Sequence, residues 1–560
     1  MSMIIKLGIM ILLVSSISVL SADKMTASVY YDFASNTFEV FDEVYDEYAV
    51  ARAIYSEVME KKGWDELSIE TSQLYDDDIQ AYGAGYLEGY LTNNRISSHF
   101  KNLYAKTWNR FPNNKMPENV KEYVKSQKVF VEKMYNQYKD DKYWRHAYYI
   151  QRQYDGLIEG YNNYSADQNK ISSEEMHTIS SFGDLFDIVY YKNKALRQDF
   201  TKLTLEQMIH YIHKTTHCSA LIKVKEDYSD VWFGHTSWFY YSALTRIFKE
   251  YKFNFSTETA AKTIHFSSYP AALASMDDFY LTDSDLVVIE TTNPMLNQEL
   301  YDKLSPDSLM TWQRAMIANR LASTALDWTE IFKLNNSGTY NNQFMAIDLK
   351  KINTEERKIV DGAMYIAEQI PGTIDVTDVT DYLRYGYWPS YNVPFSNNIR
   401  ELSNINLALK NNPKLKDVLD YNTCARANIF RRDSGKIRNI EDFKRMLRYN
   451  DYKNDPLSKG DPANAIASRI DLQSGIDKCM GAYDAKVVSI NAIKGKATKH
   501  IHLIAGPSTD QQVVMNWSTS SSCRDEPRLG LQPYYNYSWY VFNSKLKNLT
   551  TINSELKFLQ

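Results

Sequence analysis

Cysteine is scarce in this chain, four in 560 residues, and one of the four stands where chemistry could begin. Cys218 lies between the polar lead-in His213-Lys214-Thr215-Thr216-His217 and the apolar run Ala220–Val224. The run reads as a buried strand, Lys225–Ser229 as a turn and Asp230–Phe233 as a second strand. Breaking the peptide bond between His217 and Cys218 would leave the cysteine with a free α-amino group beside its own thiol. Such an amine titrates at about 7.7–8.0, close enough to neutrality to accept the thiol proton. The sulfur could then attack an acyl carbonyl. The alternative is a structural thiol buried at a strand start, a common fate for free cysteine.

Other chemistries lack their markers. The lipase elbow G-x-S-x-G does not occur, nor does H-E-x-x-H, nor a phosphate loop ending in G-K-[ST]. The ten histidines do not fall in ligand-like pairs. His213 and His217 come nearest, at i and i+4, with no third ligand suggested nearby. We expect no metal and no cofactor. Gly83, Gly85 and Gly89 lie inside a helical pattern and miss the dinucleotide fingerprint spacing, so they read as sites of close helix packing.

The elements that must position Cys218 read as follows. Two short strands fall within Ala27–Phe41 and another in Trp64–Thr71. Helices are expected over Asp76–Leu91, Glu118–Lys139, Lys142–Tyr161 and Phe182–Tyr191. Lys192–His217 leads to the cysteine and is expected to cover the site in part. Beyond Trp238, Phe239–Lys249 and Leu309–Leu326 read as helices. Ile264–Ser268, Phe279–Leu281, Leu286–Thr292, Phe344–Asp348 and Gly362–Gln369 read as strands. Strand hairpins alternating with helices, without regular βαβ repeats, indicate a layered α+β body.

A net charge of −5 and a pI near 6.1 give no support for a nucleic-acid partner. Lys6 followed by the apolar Leu7–Leu20 and small residues at Ser21 and Ala22 reads as a secretory signal peptide over residues 1–21. No later run is long enough for a transmembrane helix. Six N-x-[ST] sequons, at Asn163, Asn254, Asn335, Asn516, Asn536 and Asn548, agree with secretion or delivery to the lysosomal or endosomal lumen. If Cys218 stays a thiol, Cys424, Cys479 and Cys523 allow at most one pair. Cys479–Cys523 is one choice; the residues leave it open.

The blocks HCSALIKV, FGHTSW, SSYPAALASMDDFY, ETTNPMLN, WQRAMIANRLA, NSGTYNNQFMAIDLK, GYWPSYNVPF, IFRRDSGK and KGDPANAIASR, taken in order from about Tyr82 to about Lys486, resemble the phospholipase B-like family of secreted or lysosomal proteins. The resemblance implies an N-terminal-nucleophile hydrolase fold, an αββα sandwich, with an added N-terminal helical and strand portion. It divides the chain into an N-terminal fragment 22–217 and a catalytic chain 218–560, cut between His217 and Cys218. It implies Cys218 as nucleophile with His235 and Trp238 beside it. Asn392, in WPSYNVPF, is our candidate oxyanion donor, an amide that can hydrogen-bond a tetrahedral intermediate; a turn asparagine is the other reading. Thr291, Thr292 and Asn293 end a core strand where side chains can face a cleft. Arg431 or Arg432 could hold Cys218 or a substrate anion by a forked contact, or pair structurally with Asp433. The stretch DPANAIASR departs from the family, with Ala463, Ala465 and Ala467 where cysteines often stand, so a local disulfide is lost. The resemblance implies an acyl hydrolase acting on glycerophospholipids, partnered by its own cleaved N-terminal fragment. An N-acyl amidase and a processed, non-catalytic binding glycoprotein remain as alternatives.

Overall fold

The computed structural model describes residues 24–216, 218–473, 478–496 and 498–546. The expected signal peptide, His217 and the Asn548 sequon lie outside the described residues. The architecture is α+β, built on two sheets packed face to face. The larger has eleven strands in the order 373–378, 364–370, 342–348, 286–292, 279–282, 263–268, 247–252, 65–71, 51–56, 24–32, 37–42. Asp65–Thr71 pairs in parallel with Ile247–Lys252; the other neighbours run antiparallel. That parallel seam joins the part of the chain before Cys218 to the part after it.

The smaller sheet has six strands, ordered 387–390, 219–224, 231–236, 484–489, 500–505, 540–543. Its side chains alternate as strand geometry requires. Ala220, Ile222, Val224, Val231 and Phe233 pack against Phe279, Leu281, Val287, Ile289, Met345 and Ile347 of the large sheet. Leu221 and Trp232 turn the other way, onto Phe430, Phe443 and Leu447 of the helices Ala425–Asp433 and Ile440–Leu447. The far face of the large sheet, through Ala27, Val29, Ala53, Leu67 and Ile69, meets the helix Asp77–Leu91. The layers therefore run helix, sheet, sheet, helix.

The helix Asp77–Leu91 packs backbone to backbone on Lys142–Asn163. A Cβ added at Gly85 would sit 1.8 Å from the Gln153 carbonyl oxygen, and one at Gly156 would sit 2.1 Å from that of Tyr82. This is close helix packing, as the glycine spacing suggests.

Two expected helices differ. Phe239–Lys249 is a short strand Trp238–Tyr240, a 3-10 turn Tyr241–Ala243 and the start of the strand Ile247–Lys252. Pairing on both edges, with 65–71 and 263–268, overrides the local pattern. Leu309–Leu326 divides into Thr311–Leu321 and Ala325–Lys333, because Thr324 starts a new helix with a capping box to Asp327. Cys479 and Cys523 form a disulfide, while Cys218 and Cys424 are free and buried. Among the described residues no helix is long and apolar enough to cross a membrane. Of the sequon asparagines, Asn163 and Asn536 are exposed; Asn254, Asn335 and Asn516 are half-buried, with the Asn254 amide donating to the Thr71 carbonyl at 2.6 Å.

Candidate active site

Cys218 sits between the helix Leu205–Thr215 and the strand Ser219–Val224, buried, with φ +88°. A side chain at positive φ is uncommon; such strain costs of order 1–3 kcal/mol and persists only where the surroundings impose it. Here Arg426 Nη1 donates to the Cys218 carbonyl at 2.7 Å and to Ser219 Oγ at 3.2 Å. Ser219 Oγ in turn donates to the Ile466 carbonyl at 2.9 Å. The Arg426 guanidinium lies 4.4 Å above the Trp238 ring, and the Trp238 backbone N–H near the Cys218 sulfur favours its thiolate form. Trp238 thus meets the arginine through its ring and turns its backbone N–H toward the cysteine.

The sulfur, a ring nitrogen of His235 and a carboxylate oxygen of Glu290 lie within 4.8 Å of one another. His235 lies on the strand Val231–Thr236, opposite Ala220 and Lys486 in register. Burial first, then Lys486, holds its imidazole well below the ordinary range, so the ring is neutral. Burial and then Asp278 hold the Glu290 carboxyl well above its ordinary range, and Tyr340 donates to its Oε1 at 3.0 Å. Burial also pushes the Cys218 thiol up, with Glu290 adding to the effect and the Trp238 N–H opposing it. The sulfur is therefore a thiol that needs a base.

Beneath this group lies a buried charge network that sequence reasoning missed. Arg246 reaches Asp277 at 2.8 Å and Asp484 at 3.0 Å, and Lys486 reaches the same carboxylates at 2.6 and 2.9 Å. Two cations face two anions, which is how charges survive without water. Ser237 Oγ donates to Asp277 at 2.7 Å and stands 3.4 Å from His235 Nδ1, linking the network to the histidine.

The strand Leu286–Thr292 sorts its last residues by alternation. Thr291 Oγ1 pairs with Ser390 Oγ at 2.6 Å, tying the strand to Tyr387–Ser390. Thr292 and Asn293 line the cavity at Cys218. Among the described residues, Thr292 Oγ1 and both polar atoms of the Asn293 amide are buried without a hydrogen-bond partner. Asn392, at φ +64°, donates its amide to the Thr292 carbonyl at 2.7 Å and so stands behind these two residues.

Arg431 and Arg432 point elsewhere. Arg431 donates to Asn428 at 2.9 Å and to the Asn422 carbonyl at 2.6 Å; Arg432 pairs with Asp433 at 2.7 Å and Asp455 at 2.8 Å. Both are exposed. Helical periodicity gives the reason: Arg426 shares a face with the buried Ile429 and Phe430, while Arg431 and Arg432 fall on the outer face. That periodicity was the available signal for Arg426. Likewise Glu290 shares a strand face with Thr292, two residues on.

A cavity of about 490 Å³ opens on Cys218, Ser237 and Trp238. Its walls are mostly apolar, with Leu103, Trp108, Phe182 and Phe186 from before the cysteine, and Phe239 and Met276 from after it. The lead-in helix Leu205–Thr215 closes one side with His210, Tyr211 and Lys214. Both parts of the chain therefore build the same cavity.

The family model for phospholipase B matches residues 51–542. The chain belongs to the phospholipase B family. Phospholipase B-like protein B of Dictyostelium discoideum is 37% identical over 519 residues, covering 91% of this chain and 88% of that protein. Phospholipase-B 81 of Drysdalia coronoides is 37% identical over 543 residues, 96% of each. Phospholipase B-like 1 of Bos taurus is 36% identical over 543 residues, 95% of each. The family match spans Cys218, His235, Glu290 and Arg426 together with strands of both sheets.

Proposed function

We propose that this chain is a phospholipase B-type acyl hydrolase, releasing fatty acid from glycerophospholipids with Cys218 as an N-terminal nucleophile. The observation that carries the reading is the mostly apolar cavity of about 490 Å³ at the Cys218 sulfur, within the usual range for ligand pockets. The relatives' names support the same substrate class. The helix–sheet–sheet–helix layering supports an N-terminal-nucleophile hydrolase fold.

Two reactions use the same sulfur. In the precursor, Cys218 Sγ loses its proton and attacks the His217 carbonyl carbon. The C–N bond breaks, and the departing Cys218 nitrogen takes a proton. Water then hydrolyses the thioester, leaving a carboxylate on His217 and a free α-amine on Cys218. In turnover that amine accepts the thiol proton, and sulfur adds to the ester carbonyl. Thr292 Oγ1 and the Asn293 amide, with Asn392 beside them, are the candidate donors to the resulting oxyanion. Collapse expels the glycerol oxygen, which takes the proton from the ammonium. Water, with the amine as base, releases the fatty acid. No step calls for calcium. Arg426 holds the Cys218 backbone and acts through it. The parallel seam of residues 65–71 with 247–252 would keep fragments 22–217 and 218–560 together after the cut. The reading includes export through the signal peptide to a secretory or lysosomal lumen.

The test is incubation of processed protein with labelled phosphatidylcholine in EDTA, beside a cleaved Cys218→Ser control. Release by the wild type and strong loss in the control is expected. Release that needs calcium, or persists unchanged in the control, contradicts the mechanism. Turnover of N-acyl amides alone would move the assignment to an amidase.

A further inference from the structure

Cys218, His235 and Glu290 present sulfur, nitrogen and oxygen donors within 4.8 Å of one another, on three separate backbone segments. All three side chains are buried. Among the described residues, His235 Nε2 and Glu290 Oε2 have no hydrogen-bond partner, a costly state for buried polar atoms. The cavity reaches the Cys218 side of this group and gives a route inward.

This donor set suits one class of ligand. Zinc binds thiolate at about 2.3 Å, imidazole at about 2.0–2.1 Å and carboxylate at about 2.0–2.2 Å, tetrahedrally. Calcium and magnesium prefer sets of oxygens. Neighbouring donors around a tetrahedral zinc stand roughly 3.3–3.7 Å apart by those bond lengths, so side-chain rotation of about an ångström would close the three around an ion. We propose that Cys218, His235 and Glu290 form an inhibitory site for a thiophilic divalent cation of the zinc class, which occupies the nucleophile and silences it. The thiol proton, and any proton on Glu290, leave to solvent as the ion enters. Thiolate and carboxylate then cancel its two positive charges, so no net charge is added beside Lys486 and Arg246. Binding of the ion needs neither the proposed cleavage nor lipid turnover; its inhibitory effect rests on the reading of Cys218 as the nucleophile.

The test uses the full chain and needs no substrate. Cobalt(II) serves as spectroscopic probe, and zinc as competitor. The expected result is one cobalt per chain with a sulfur-to-metal charge-transfer band. Zinc should displace the band and Cys218→Ser should abolish it. Glu290→Gln, checked by circular dichroism for folding, should weaken binding at least tenfold. Zinc should also slow alkylation of Cys218, read by peptide mass spectrometry, in the wild-type chain at least tenfold, and EDTA should restore it. That arm holds even if a variant fails to fold. A band that survives in Cys218→Ser, or alkylation of Cys218 indifferent to zinc, would overturn the proposal.

Discussion

Arg426 should control the rate of the proposed cut before Cys218, although it touches only the backbone of the cysteine. Its guanidinium donates to the Cys218 carbonyl and to Ser219 Oγ, and stacks on Trp238. A hydrogen bond from a charged donor contributes about 1.5–3 kcal/mol, and a desolvated cation–π contact about 2 kcal/mol. Against these stands the cost of burying the cation, visible in a guanidinium pulled down to about 10 by burial. Arg426→Met removes both sides of that balance and leaves the carbonyl of a residue at φ +88° without this donor; an unsatisfied buried acceptor costs about 1–3 kcal/mol. A strained backbone released by as little as 1 Å can cost about a hundredfold in rate. We therefore expect Arg426→Met to fold with lowered thermal stability and to be cut at least tenfold more slowly. Arg426→Lys should fall between, since an ammonium keeps the charge and loses the planar fork. The assay is a gel time course of cleavage, with melting followed in parallel. Wild-type cleavage rates in a folded Arg426→Met chain would refute the argument.

Gly85→Ala should destabilise by about 1–3 kcal/mol or more through overpacking, because its Cβ would fall 1.8 Å from a backbone oxygen; Gly435→Ala, with nothing within 4 Å, is the neutral control in the same urea titration. Equal midpoints for the two variants would contradict the packing account. Asp187 should make stability fall as pH rises. Burial, with Asp184 adjacent and itself raised to about 6, lifts its carboxyl to about 7, against about 3.9 in an unfolded chain. The folded state then binds the extra proton, so the contribution is whole below about pH 4 and is lost as pH rises through 7. Asp187→Asn should shrink the melting difference between pH 5 and pH 8; an unchanged difference would count against it.

Much of this was legible where local pattern and tertiary environment agree. The alternation of Ala220, Ile222 and Val224 against Leu221 is visible in sequence and sets which face meets the large sheet. The glycines of Asp77–Leu91 announce close packing. What was not legible depends on distant partners. Phe239–Lys249 reads as a helix, yet its end enters the strand Ile247–Lys252 because neighbours pair on both sides. Asp277, Asp484, Arg246 and Lys486 read singly as surface charges, and only the fold brings them together without water. In the helix Ala425–Asp433 the doublet Arg431-Arg432 stands out by residue type, yet periodicity assigns Arg426 to the inner face. Glu290 likewise takes its place from its strand face, which it shares with Thr292, two residues on.

The central claim is that Cys218 becomes a chain start. N-terminal sequencing and intact-mass measurement of the purified mature protein, beside Cys218→Ala, test it most directly. The account predicts two associated fragments, one beginning at Cys218, and a single uncut chain for the variant. An uncut wild-type chain that still hydrolyses lipid, or a Cys218→Ala chain cut at the same bond at the same rate, would contradict it.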